Sequence, residues 1–146
     1  MDSKNIFDVS GKTIIITGAA GMLGTEYAKG LSEKGANVVL ADLDFKKCKE
    51  ISLELGKKYA NKTLPINLDL TKILSIKNMV KKVVKKYGKI DVLINNAAYQ
   101  GDDKLRTIPF EKLPLKSWNK AIDVNLTGIF LCCQEIGKIM LKQKNG

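Results

Sequence analysis

Thr13-Ile14-Ile15-Ile16-Thr17-Gly18-Ala19-Ala20-Gly21-Met22-Leu23-Gly24-Thr25-Glu26-Tyr27 is the stretch from which the rest of the chain is read. A β-branched apolar run of strand length ends in a glycine-spaced turn, and a helical pattern through Leu23, Tyr27 and Leu31 comes at once. Strand, tight turn and helix in that order build an anion site: free backbone N–H groups and the positive end of the helix dipole face the same point. Glycines there serve the turn, the approach of backbone to a pyrophosphate, and close helix–strand packing. The same spacing also occurs in ordinary strand-to-helix turns, so the downstream segments must decide.

The chain has 146 residues, enough for one domain (1–146) with a real core. No run of consecutive apolar residues approaches a membrane span, and Met1-Asp-Ser-Lys-Asn-Ile-Phe7 has no apolar signal core, so the expectation is a cytoplasmic protein without a membrane partner. Three cysteines and no histidine fit a reduced compartment, and they remove His-based metal sites and Ser–His triads; no metal is expected. The net charge of +10 raises a nucleic-acid reading. Lysines are scattered over all segments, however, and Lys81, Lys82, Lys85 and Lys86 recur at helical spacing opposite Ile76, Val80, Val83 and Tyr87. That is a solvated helix face, and no nucleic-acid partner is expected.

Outward from the opening stretch, strands and helices alternate. The first helix is expected to run to about Lys34, with Gly35 as its C-cap. A second strand, Asn37 to Asp42, is a continuous apolar run, as suits a parallel strand covered on both faces. A helix over Phe45–Tyr59, a strand over Thr63–Leu68, a helix over Ser75–Tyr87 and a strand over Val92–Asn95 come next. A polar stretch, Asn96 to Lys116, leads to a last helix from Ser117 to about Lys142. The pattern predicts an α/β fold, a Rossmann-like doubly wound parallel sheet that is incomplete, in strand order 3-2-1-4.

Asp42 closes the second strand about 20 residues beyond the glycine turn, where a carboxylate accepts hydrogen bonds from ribose hydroxyls and repels a 2′-phosphate. This favours NAD over NADP. Asp44 is a weaker candidate for the same role, and Lys46 and Lys47 are the nearby cations.

Asn95-Asn96-Ala97-Ala98 after an apolar strand, within Gly88-Lys-Ile-Asp-Val-Leu-Ile-Asn-Asn-Ala97, resembles the Asn-Asn-Ala-Gly motif of short-chain dehydrogenases/reductases. Thr17-Gly18 in the turn, Asp69 after the third strand and Asn125 in Val-Asn-Leu-Thr-Gly128 are similar to further marks of that family, in order from about Gly11 onward. The resemblance implies an NAD-dependent oxidoreductase moving hydride between nicotinamide and a small-molecule alcohol or carbonyl substrate, and a homo-oligomer for the complete enzyme. It places Thr17, Gly18, Gly21, Met22 and Leu23 at the cofactor turn, Asp69 and Leu70 at the adenine, and Asn95 to Ala97 facing the cofactor and supporting the turn.

Asn125 lies on the stripe Trp118, Ile122, Ile129, Cys132, Ile136 and Met140 of the last helix. A buried amide needs partners, so the plain reading is a satisfied core asparagine. The resemblance implies instead a supporting part in a proton relay, through its backbone carbonyl. Gly128, one turn on, would tolerate a helix bend.

Two departures stand out. Met22 occupies a position where the single-domain branch of the family has glycine, and the Gly18, Gly21, Gly24 spacing matches sugar-nucleotide epimerases and dehydratases. The family's catalytic serine, tyrosine and lysine lie beyond a fifth strand, which would begin where this chain stops, at Asn145-Gly146, and no Tyr-x-x-x-Lys occurs. The expectation is a cofactor-binding part without its proton donor, inactive alone. A non-catalytic nucleotide-binding module and an epimerase or dehydratase fragment are the alternatives.

Overall fold

The computed structural model describes residues 8–59, 63–101 and 107–146. Four strands, β1 (Thr13–Thr17), β2 (Asn37–Asp42), β3 (Leu64–Asn67) and β4 (Val92–Ile94), form one sheet in the order β3-β2-β1-β4. Every pairing is parallel: Ile15 lies beside Val39 and Leu93, and Leu40 beside Pro65. Proline has no N–H for a ladder, and Pro65 sits in an edge strand, where that loss is tolerated.

Helices cover both faces, which is why the inner strands carry no polar alternation. On one side Ile14, Ile16, Val38 and Leu40 pack with Ala28 of α1 (Met22–Glu33) and with Cys48, Ile51 and Leu55 of α2 (Phe45–Tyr59). On the other, Ile15, Val39, Ala41 and Ile66 meet Ile76, Met79 and Val83 of α3 (Ile73–Tyr87) and Cys132 and Ile136 of the last helical run.

The helical period of Leu23, Tyr27 and Leu31 does not mark the most buried side of α1. Gly24, Ala28 and Ser32 face inward, whereas Leu23 and Tyr27 are exposed. The helix lies so close to the strand-to-helix turn that a Cβ on Gly24 would strike the Gly18 carbonyl and come within 2.7 Å of Ala19 Cα. Only a small residue fits that contact; Leu23 and Tyr27 turn outward, and Leu31 packs partly against the core.

The last helix is not uniform either. It comprises α4 (Leu115–Ile122), a π-helical segment (Asp123–Gly128) and α5 (Ile129–Gln143). The local distortion anticipated at Gly128 is thus a wider turn spanning several residues. Trp118 and Ile122 are exposed, and only the α5 part of the predicted stripe, Cys132 and Ile136, is fully buried. The run Leu115–Gln143 is long and apolar enough by length and mean composition to cross a membrane, although charged residues such as Lys120 and Glu135 interrupt it. Here Cys132 and Ile136 complete the protein's own core. Its far end is fastened by Gln143, whose Oε1 accepts from the Ile90 amide (2.9 Å) and whose Nε2 donates to the Ile90 carbonyl (2.8 Å).

At the opposite end of the sheet from the turn, Asp91 is 6% exposed. It accepts the Thr13 amide at 2.7 Å and pairs with Lys89 at 3.0 Å and Lys12 at 3.8 Å, tying the start of β1 to the start of β4.

Candidate dinucleotide site

The loops at the carboxyl ends of all four strands surround a cleft of about 780 Å³. Its floor is the β1–α1 turn. Gly18 has φ +67, and a Cβ there would lie 2.7 Å from Ala97 Cα, so both the conformation and the space demand glycine. Helix α1 begins at Met22 after Gly21, which offers no side-chain cap. The amides of Met22, Leu23 and Gly24 donate to no acceptor among the described residues. They are the unsatisfied donors that a helix N-terminus presents to an anion.

Asn96 holds this turn against β4. Its Nδ2 donates to the carbonyls of Thr17 (3.0 Å) and Gly18 (3.1 Å). The Thr17 hydroxyl accepts from the Asn96 and Ala97 amides, both at 3.1 Å. Thr17 is therefore a strut beneath the site and does not line the cleft. Asn95 does not line it either: its Nδ2 turns to Cys133 Sγ at 3.4 Å, and its Oδ1 is buried without a partner. Of the two adjacent asparagines, the cleft wall takes Asn96.

Asp42 stands at the second loop. Its Oδ2 accepts the Ala20 amide at 3.0 Å and its Oδ1 accepts the Asp44 amide at 3.0 Å. These bonds fix the carboxylate at the cleft and leave lone pairs for a ligand's hydroxyls. Asp44 in turn caps α2, accepting the Lys47 amide at 3.0 Å. Leu43, Asp44 and Lys47 join Asp42 in the lining.

The third loop supplies Leu68, Asp69, Leu70 and Thr71. Asp69 accepts the Thr71 hydroxyl (2.6 Å) and amide (3.0 Å) and pairs with Lys72 at 3.1 Å. The Thr71 hydroxyl bond, with Lys72, outweighs burial and holds the Asp69 carboxyl below its usual range. Leu70 is pressed by the last helix, because a Cβ on Gly128 would come within 2.8 Å of Leu70 Cβ.

Gly18, Gly21, Met22, Leu23, Asp42, Asp69, Leu70 and Ala97, all singled out in the sequence, come together in one cleft. Tyr99, Gln100, Lys120 and Val124 also line it, and no motif marked Lys120. Asn125 is half-buried and spends its side chain on Tyr99: its Oδ1 accepts the Tyr99 amide at 2.7 Å, and its Nδ2 donates to the Tyr99 carbonyl at 2.9 Å. Among the described residues no group of His, Cys, Asp and Glu is arranged to hold a metal ion. Burial pushes the Cys48 and Cys132 thiols up to about 12, so neither is a ready nucleophile.

A parallel sheet with a phosphate-type turn at β1 and an acid at the end of β2 defines a Rossmann-like nucleotide-binding fold. Residues 12–146 match the family model described as short chain dehydrogenase, and the chain belongs to that family. It is 35% identical over 140 residues to the NAD-dependent glycerol dehydrogenase of Listeria innocua, covering 96% of this chain and 52% of that protein. It is 30% identical over 146 residues to the NADP-dependent mannitol dehydrogenase of Alternaria alternata, covering 98% and 53%. The structure of an NAD+-bound xylitol dehydrogenase superposes with TM-score 0.87 at 28% identity, covering 94% of this chain and 51% of that one. The chain thus spans about half the length of these relatives.

Proposed function

We propose that this chain is the NAD-binding part of an oxidoreductase that moves hydride between nicotinamide and a hydroxyl or carbonyl carbon of a small polyhydroxy compound. The observation that carries the reading is the cleft itself. Free amides of α1 stand at the phosphate position, and the fixed Asp42 carboxylate stands one loop away, at the position for a ribose diol. A 2′-phosphate would meet the Asp42 carboxylate, which favours NAD, although relatives of both cofactor types exist. Bound dinucleotide would supply the hydride chemistry. The chain's own groups bind its phosphates through Gly21 to Gly24, orient its ribose through Asp42, and wall its base with Leu70 and Val124.

The polyol substrate class rests on the kinship with proteins named for glycerol, mannitol and xylitol. Within the polar stretch Asn96 to Lys116, Asp102, Lys104 and Arg106 suit a polar, sugar-like substrate, and they lie outside the described residues. The proton donor is not among these residues, since no Tyr-x-x-x-Lys is present, and this also supports a second reading as a non-catalytic nucleotide-binding module. Self-association is part of the proposal: Trp118, Leu126 and Phe130 expose apolar surface along the last helical run, and the outer edge of β4 is unpaired among the described residues.

Calorimetric titration with NAD and NADP tests the binding reading, and saturable NAD binding with weaker NADP is expected. An NAD-linked assay over polyols should give no turnover by the 146-residue chain. Turnover of any polyol would place a proton donor among these residues and overturn that part. Absence of any dinucleotide binding would overturn the function.

A further inference from the structure

Lys120 is a cation on the cleft wall, carried by the last helical run. Its Nζ stands 4.2 Å from the centroid of the Tyr99 ring, and no carboxylate pairs with it among the described residues. Both side chains line the cleft. Tyr99 cannot drift, because Asn125 grips its backbone amide and carbonyl together. Lys120, Val124 and Gly128 recur at four-residue intervals along the helical run. Gly128 abuts Leu70, Val124 lines the cleft above it, and Lys120 stands one turn further out. The ridge therefore runs along the cleft wall from the contact between Gly128 and Leu70.

From this juxtaposition of an ammonium, an anchored aromatic ring and the Leu70 wall, we propose that Lys120 and Tyr99 clasp the base end of a bound dinucleotide. The inference rests on the dinucleotide reading of the cleft. A purine offers what the pair can use: ring nitrogens that accept from an ammonium, and a π face or edge for the phenol ring. The ammonium rests on the Tyr99 ring, an arrangement that keeps its stem extended along the wall. Lys120 then sets how firmly the base is held, while Asp42 and the glycine turn hold ribose and phosphate.

Titrations of the 146-residue chain with ADP-ribose and with nicotinamide mononucleotide separate the two ends of the ligand. Lys120→Met keeps the apolar stem and removes the charge. It should weaken ADP-ribose binding about tenfold, the scale of one charge-assisted hydrogen bond, and leave nicotinamide mononucleotide unchanged. Lys120→Arg should restore most of the loss, and Tyr99→Phe should bind nearly as well as the parent, since the ring is kept. Unchanged ADP-ribose affinity in Lys120→Met, with parental circular dichroism, would overturn the clasp, and so would a loss confined to nicotinamide mononucleotide. Failure of the parent chain itself to bind ADP-ribose would instead overturn the dinucleotide reading, which keeps the two failures apart.

Discussion

The side-chain amide of Asn125 pairs with both backbone groups of Tyr99, accepting its N–H at 2.7 Å and donating to its carbonyl at 2.9 Å. A helix residue thereby takes the place of a neighbouring strand just beyond the end of β4, and the cleft wall from Asn96 to Gln100 is held by it. Asn125→Leu leaves both groups of Tyr99 without that partner. The variant should lose about 1–3 kcal/mol of stability and bind NAD more weakly, as read by urea unfolding and calorimetry. Parental values in both would show that the wall is held by other contacts.

Gly18→Val should abolish dinucleotide binding while leaving helix content nearly intact. A side chain at φ +67 is strained, and its Cβ would overlap Ala97 Cα at 2.7 Å. Circular dichroism checks the fold, and titration with NAD checks the site. Parental affinity would reduce the turn to a structural feature.

Asp42→Ala should narrow the gap between NAD and NADP affinities by about 1–3 kcal/mol, the scale of losing hydrogen bonds to a charged group. The Ala20 and Asp44 amides also lose their acceptor, so a modest drop in stability should accompany the change. Equal affinities for the two dinucleotides in the unmutated protein would contradict the role given to this carboxylate.

Asp91 should make stability depend on acid pH. Burial alone would push its carboxyl up, but the Thr13 amide with Lys89 and Lys12 outweighs burial and holds it below the usual range. Because the folded value is the lower one, its contribution is complete above the ordinary carboxylate pKa of about 3.9 and is lost as pH falls through the depressed folded value. Asp91→Asn should therefore be less stable than the parent at neutral pH, and the two unfolding curves should converge under acid. A constant difference down to the lowest pH at which the fold survives would exclude this linkage.

Much of the fold was legible in the sequence because it rests on short-range patterns. Strand order came from alternating elements and from a glycine turn after β1, and Asp42 from its distance to that turn. Other features depend on distances that periodicity does not encode. Leu23, Tyr27 and Leu31 mark the helical period of α1, yet only Leu31 packs against the core, and the face nearest the sheet is Gly24, Ala28 and Ser32 because Gly24 meets the Gly18 carbonyl. Asn95 and Asn96 are chemically identical neighbours on a chain whose side chains alternate, and only the fold decides which of them reaches the turn. Lys120 looked like one more surface lysine, because its task depends on where the helix crosses the cleft.

The π-helical segment at Asp123–Gly128 acts as a phase adjuster between two helices with different duties. In an unbroken α-helix Lys120 and Ile136 would point roughly 160° apart, so a helix aiming Lys120 at the cleft would aim Ile136 towards solvent. A π turn takes up one additional residue and rotates the downstream helix back by roughly 100°, so both side chains can serve the same side of the molecule. The length of this one turn thus synchronises the ligand cleft with the core. Deleting a single residue between Asp123 and Gly128 would leave a more regular helix and a worse protein, with either Cys132 and Ile136 or Lys120 and Val124 turned out of place.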